Sequence, residues 1–414
     1  MTLFVAAVFG IVYLGMALGG LPLLQLDRTG IAVLGAIAMV AGGALTIDEA
    51  RSAVHLPTLL LLFSFMVISA QMRLGGFYDE VARRIAGHGW SNGAMLAILI
   101  AASAALSAVF GNDIVCLAAT PVFIDALRRR GTQPLPFLIA LACAANVGSA
   151  ATLVGNPQNM LIGESLHLAF GSYMRVAALP VLGGLVATWL LARPMVTRPM
   201  ATRAERVEVA EPAAEFDRWQ SAKGGVVVAV VGALFLFSDL PRDVVALAGA
   251  GVLLSSRKLH SRQTLGLVDW NLLTLFVGLF VVNAALQKSG LPLRALHALM
   301  AWGVPLQHPA AWLSLAFVLS NVVSNVPAVM LLLPSTPTGL GPGLALASTF
   351  AGNLFLVGSI ANLIVADAAQ RRGVRVGWRA HARIGAPLAL LTLAMTLWLA
   401  SAHAGQAVTL VLNR

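Results

Sequence analysis

Residues 106–121 read LSAVFGNDIVCLAATP and residues 319–334 read LSNVVSNVPAVMLLLP. The two stretches share an opening Leu-Ser, an asparagine (Asn112 and Asn325) and a closing proline (Pro121 and Pro334). In each, a polar centre interrupts a long apolar region. A backbone that turns inside hydrocarbon leaves N–H and C=O groups unpaired, and it survives only when buried in protein or lining a wet cavity. Asparagine suits such a tip because its amide both donates and accepts. Gly111-Asn112-Asp113 and Ser324-Asn325-Val326-Pro327 are therefore expected to be hairpin tips near mid-membrane, with Pro327 in the first turn of an outgoing helix.

Working outward, the pairing extends along the chain. Residues 27–77 align on 241–291, so Arg28 meets Arg242, Gly35 meets Gly249 and Gly76 meets Gly290. Residues 153–162, LVGNPQNMLI, align on 356–365, LVGSIANLIV, with Gly155 on Gly358, Asn159 on Asn362 and, just beyond, Glu164 on Asp367. Pro180 falls on Pro387 in the last apolar segment of each half. Four blocks in one order, with polar residues matched, indicate a duplication. The expected units are residues 1–193, a polar linker at 194–222 with Pro194, Pro199 and Pro212, and residues 223–414.

Composition fixes the solvent. The chain has 414 residues, 58% of them hydrophobic and 11% charged, and a mean hydropathy of +0.85. A soluble domain carries far more polar surface. No Asp, Glu, Lys or Arg occurs in residues 2–26, 29–47, 85–112, 131–163, 295–366 or 384–413, and ~20 mostly apolar residues cross a bilayer. Spans are expected at 3–26, 29–47 and 56–72, and at 224–238, 242–257 and 270–287. The first is read as retained, because no basic region precedes it. Cys116 and Cys143, the only cysteines, lie in apolar runs and indicate neither disulfides nor a metal site.

If each tip belongs to a re-entrant hairpin, each half crosses the membrane five times and the second half is inverted. Charge placement tests this. On that scheme six basic residues (Arg51, Arg175, Arg242, Lys288, Arg294 and Arg414) face one side and the other 21 of the 27 face the opposite side. The 21-residue side, which holds the linker, is expected to be cytoplasmic, and both termini to be outside the inner membrane. The formal charge of +10 thus reports topology and not nucleic acid. The fold class is an all-α polytopic membrane protein of two inverted five-span repeats, each with a re-entrant helical hairpin and a broken helix.

The breaks follow from Gly155-Asn156-Pro157-Gln158-Asn159 and Gly358-Ser359-Ile360-Ala361-Asn362. Pro157 removes a helix hydrogen bond and displaces the carbonyl of Leu153; the second copy has no proline and rests on Gly358. Polar side chains at membrane depth mark a pathway. The substrate- or ion-binding candidates are Asn112, Asp113, Asn156, Asn159, Ser324, Asn325, Ser359 and Asn362. Asn146, Thr152, Gly155, Gly358 and Asn353 are secondary, since a lone Asn or Thr also serves as glue between helices. Asp113, the one acid at a tip, is the candidate for ion coupling, with a sodium position at Asn112 and Asp113. Asn112 and Asn325 are expected to share one central site. Paired broken helices and tips are the pattern of secondary transporters. No HExxH motif or nucleophile–His–acid set supports an enzyme.

These motifs resemble the ion transporter superfamily, in its arsenite permease, NhaD-type antiporter and citrate transporter-like branch. Ala145-Asn146-Val147-Gly148-Ser149 with residues 155–159 is similar to bacterial anion permeases and plant silicon efflux transporters. Ser324-Asn325-Val326-Pro327 and Asn112-Asp113 with Thr120-Pro121 match the same style. The resemblance implies a scaffold, a moving transport domain and alternating access. Dicarboxylate carriers of the superfamily carry Ser-Asn-Thr at both tips; here Asp113 and Val326 depart at the third position. The expected function is transport of a small inorganic or organic anion, or of a weak acid such as arsenite, coupled to H+ or Na+, without a cofactor; a cation/proton antiporter is the alternative. No basic residue is expected in the core. The bilayer is the expected partner, and a homodimer is left open.

Overall fold

The computed structural model describes residues 1–20, 25–196, 216–337 and 339–412, with side chains to residue 402. Every regular element among them is helical. The first half runs α1 (Thr2–Leu18), α2 (Arg28–Ala41), α3 (Ile47–Ala53), α4 (Leu56–Leu74), α5 (Phe77–Gly87), α6 (Asn92–Phe110), α7 (Asn112–Arg129), α8 (Leu135–Ser149), α9 (Pro157–Ser165) and α10 (Phe170–Val196). The second runs α11 (Arg218–Phe237), α12 (Arg242–Leu254), α13 (Ser261–Leu265), α14 (Trp270–Lys288), α15 (Leu291–Ala301), α16 (Pro309–Val323), α17 (Asn325–Leu332), α18 (Gly341–Ala351), α19 (Ile360–Arg371) and α20 (Trp378–Leu412). Each half has ten α-helices among the described residues, and the second adds 3-10 turns at Leu333–Ser335 and Leu356–Gly358.

Among the described residues, six helices are long and apolar enough to cross a membrane: α4, α6, α10, α11, α14 and α20. The first expected span is shorter than 3–26: α1 stops at Leu18, where Gly19 enters the left-handed region at φ 80°. Helices α2 and α12, with 14 and 13 residues, reach only ~20 Å at 1.5 Å per residue. They lie against longer partners, α2 on α14 and α12 on α4. Likewise α1 packs on α2 and α14, while α11 packs on α12 and α4. These contacts are thus repeated with the halves exchanged. Gly35 of α2 lies where a Cβ would run into Val12 of α1, and its aligned Gly249 on α12 would meet Val231 and Val227 of α11. Close helix approach at small residues is how membrane helices gain contact when lipid is as apolar as their neighbours.

Helix α10 carries Pro194 within its last turn and α11 opens at Arg218, so both ends of 194–222 are helical; residues 197–215, with Pro199 and Pro212, lie outside the described residues.

Both hairpins turn where the polar centres stand. Between α6 and α7 only Gly111 is non-helical, at φ 89° and ψ 142°. Between α16 and α17 the same place is taken by Ser324, at φ 77° and ψ 159°. That backbone region is essentially reserved for glycine, and a side chain there costs about 1–3 kcal/mol. The arms of the first hairpin are fastened at their base: the Arg130 guanidinium, just past α7, donates to the carbonyls of Ala86, His88 and Trp90, just before α6. Both ends of this hairpin therefore lie together. The matched prolines part company, with Pro121 inside α7 and Pro334 in a 3-10 turn after α17.

Candidate functional site

The broken helices meet at the centre of the molecule. Helix α8 ends at Ser149 and α9 starts at Pro157, with Asn156 as its cap: Oδ1 accepts from the Asn159 N–H at 2.9 Å. Pro157 takes the first helical position, where its missing N–H costs nothing. In the second copy α18 ends at Ala351 and α19 begins at Ile360, capped by Ser359 Oγ accepting from the Ala361 N–H at 3.2 Å. The break at Gly155 is a close approach, since a Cβ there would overlap the backbone carbonyl of Ser149.

Side chains from one copy satisfy the break of the other. Asn146 Oδ1 accepts from Ser359 Oγ at 2.9 Å, and Asn146 Nδ2 donates to Asn362 Oδ1 at 3.0 Å. Thr349, equivalent to Asn146 if the third aligned block is continued upstream, does the same in reverse. It accepts from Asn156 Nδ2 at 3.2 Å and donates to Asn159 Oδ1 at 3.1 Å. Asn146 also binds Asn353 Oδ1 through Nδ2 at 2.9 Å and takes the Asn112 Nδ2 donation at 2.8 Å. Asn159 Nδ2 reaches the Thr152 carbonyl and the Tyr173 hydroxyl, and Asn362 Nδ2 reaches the Gly352 carbonyl. Thr152 donates to the Ala108 carbonyl near the first tip. A polar set this buried holds its geometry only because its members satisfy one another.

The candidate residues divide on this geometry. Asn112, Asn146, Asn353, Ser359 and Asn362 form one joined group, and Asn156 and Asn159 join Thr349 and Gln158 in a second. Asn112, Asp113 and Asn156 also line a cavity of ≈ 250 Å³ between the first tip, α4, α9, α19 and the start of α14. Ser324 and Asn325 do not line this cavity; the Asn325 amide lies beside Gly352 at the second break, and its Oδ1 is buried with no hydrogen-bond partner among the described residues. The second tip packs against α14 and the end of α1, where the Tyr13 hydroxyl lies 3.1 Å from the Pro327 carbonyl.

Sequence reasoning missed three kinds of residue. Arg73, exposed at the end of α4, lines the cavity from a helix end that hydropathy assigns to the interface. Asp269, the cap of α14, lines it too. Thr349 was within reach of the repeat alignment. The cavity continues, through shared walls at Arg73, Leu117, Leu267 and Ile364, into a vestibule of ≈ 700 Å³ that also borders Asp79, Asp367, Arg371 and Arg372. No group of three or more metal-ligating side chains occurs among the described residues.

Two helical hairpins with non-helical tips, and two interlocked broken helices beside a largely apolar cavity with a few polar groups, define a polytopic membrane transporter. Comparison with known proteins carries this further: residues 4–338 match the family described as citrate transporter, and the chain belongs to that family. It is 30% identical over 407 residues to an uncharacterized transporter of Mycobacterium tuberculosis, covering 91% of this chain and 94% of that one. It is 27% identical over 436 residues to the silicon efflux transporter LSI3 of Oryza sativa subsp. japonica, covering 88% and 89%. The crystal structure of the YdaH transporter of Alcanivorax borkumensis, described as having an unusual topology, superposes with a TM-score of 0.59 at 14% identity over 98% of each chain. That likeness speaks to the fold.

Proposed function

We propose that the chain is a secondary transporter that carries a small anion or weak acid across the inner membrane by alternating access, coupled to H+ or Na+ through Asp113. The observation that carries this reading is the cavity at the first tip, where the Asn112 and Asn156 amides stand beside Asp113 and Asp269 with Arg73 as the one cation. Two carboxylates against one guanidinium repel a di- or tricarboxylate. They suit a hydroxylated weak acid that is neutral or singly charged, which amides and carboxylates hold through its hydroxyl groups. The rice relative, named a silicon efflux transporter, supports the same substrate chemistry. A charged carboxylate at membrane depth costs about 3 kcal/mol on insertion scales, and a proton or sodium ion arriving with or against the solute removes that charge.

The paired carboxylates also favour a second reading, a cation/proton antiporter in which Asp113 itself binds the cargo. Purified protein in proteoliposomes, with pH and sodium gradients imposed separately, distinguishes them. Solute flux driven by either gradient, and a loss of that drive in Asp113→Asn, is the expected result. Sodium-dependent proton movement with no solute requirement is the antiporter's signature. Full gradient dependence in Asp113→Asn sinks the role of Asp113 in both.

A further inference from the structure

We infer that two equivalent ion pairs form in turn, Glu164–Arg242 in the state this structure captures and Asp367–Arg28 in the opposite-facing state, each holding one side closed. This rests on the alternating-access reading. Glu164 Oε1 lies 3.0 Å from Arg242 Nε, and the same guanidinium donates from Nη2 to the Gly163 carbonyl at 3.0 Å. The pair joins the end of α9, which belongs to a broken helix, to the start of α12, which packs on α4. It is enclosed, with side chains 10% and 15% exposed. Helix α9 packs directly on α4.

The alignment sets Glu164 on Asp367 and Arg242 on Arg28, one acid and one base from each copy. The second pair is apart. Asp367 borders the open vestibule, its side chain is 63% exposed, and it pairs within its own helix with Arg371 at 2.9 Å. Arg28 has no carboxylate partner among the described residues. The neighbouring Thr29 hydroxyl donates to the Asn271 carbonyl at 3.3 Å, and Leu272, next along, lines the same cavity as Ile364 of α19, one turn before Asp367. So where α9 has closed onto α4 and α12, α19 stands off from α14 and α2 with a cavity between. Exchanging the roles of the copies brings α19 onto α14 and Asp367 onto Arg28, and releases Glu164 from Arg242. Two similar acids set against two similar bases, one pair joined and one open, are what a carrier needs to close one side at a time.

The test uses Leu117→Cys, whose position borders both cavity and vestibule, and a membrane-impermeant maleimide applied to oriented vesicles from the vestibule side. Glu164→Gln removes the present lock and should slow modification, by up to roughly fivefold, the limit set by the fivefold change in the ratio of the two states that follows from losing about one kcal/mol of bias. Asp367→Asn removes the opposing lock and should leave modification as fast or faster. Slower modification in both variants, or no slowing in Glu164→Gln, overturns the inference; loss of a residue that merely supports the fold does not separate the two variants in this way. Arg28→Cys with Asp367→Cys should cross-link under oxidant when the vestibule side is closed, and failure to cross-link in vesicles where Leu117→Cys is protected also overturns it. Solute flux is followed in the same vesicles. Opposite labelling responses without flux count against the transport reading alone, and flux without them counts against the paired locks alone.

Discussion

Asn146→Ala tests the central network most directly. The side chain is 2% exposed and takes part in four hydrogen bonds, with Asn112, Ser359, Asn353 and Asn362. Measured interhelical hydrogen bonds in a membrane average about 0.6 kcal/mol, so losing four sets a floor of about 2 kcal/mol. The stranded Asn112 and Ser359 donors and the Asn353 and Asn362 carbonyls raise it, because a buried group left unpaired costs about 1–3 kcal/mol. Some of these partners re-pair: Asn353 Nδ2 has no partner at present, and rotating that amide lets it seek one. The expected loss is therefore about 2–4 kcal/mol, read as an apparent Tm lower by roughly 2–6 °C in detergent-solubilised protein. Asn112→Ala is the internal standard. It removes one bond and leaves Asn146 Oδ1 held by Ser359, so it should cost less than about 1 kcal/mol while still altering the cavity wall. If the two variants melt alike, Asn146 is not the residue that ties the two breaks together.

Ser324→Gly removes a strained side chain; relief of about 1–3 kcal/mol against a glycine entropy cost of about 0.5–1 kcal/mol predicts a higher Tm. A higher Tm with lost transport would instead place the Ser324 hydroxyl on the solute's path. For topology, cysteines at Trp219 and Trp302, both exposed, should label from opposite sides; Trp302→Cys reacts in whole cells and Trp219→Cys only after permeabilisation, and the reverse pattern inverts the scheme. Outside the spans, the Lys288 ammonium first, and then the Thr46 N–H, hold Glu49 at about 2, below the ordinary ~4.3. Because the folded value is the lower one, this contact stabilises above pH ~4.3 and its contribution disappears as pH falls toward 2. Glu49→Gln should flatten the unfolding curve in that window only, and by a small amount, as the pair is solvent-exposed; a difference confined to neutral pH contradicts it.

The tips were legible because a polar triplet in the middle of an apolar run must find its partners without water, which a turn buried in protein provides. The first break was legible because Gly155 and Pro157 flank an asparagine that can cap. The second break, without a proline, was legible only through its partner copy. Arg73 and Asp269 were not legible. Each stands at a helix end far along the chain from the tip, and only packing brings them to Asp113. Thr349 carries no signal of its own, since a threonine in an apolar helix ordinarily bonds its own backbone. Which side stands open was not written in either copy, because both have the same order of elements and the difference lies in how α9 and α19 are seated.

The copies are alike in plan and unlike in detail, and this bears on the empty carrier at rest. If exchanging the halves converts one facing state into the other, identical halves would make the two states equal in energy and the resting population even. Every mismatch then acts as a weight on that balance: Gly111 against a strained Ser324, Asp113 against Val326, Asn146 against Thr349, Glu164 against Asp367. Mismatches worth about 1.4 kcal/mol in total displace the ratio tenfold. The direction in which such a protein waits is thus set by differences between its halves, and substitutions that make them more alike should bring the two orientations toward equal occupancy without touching the solute.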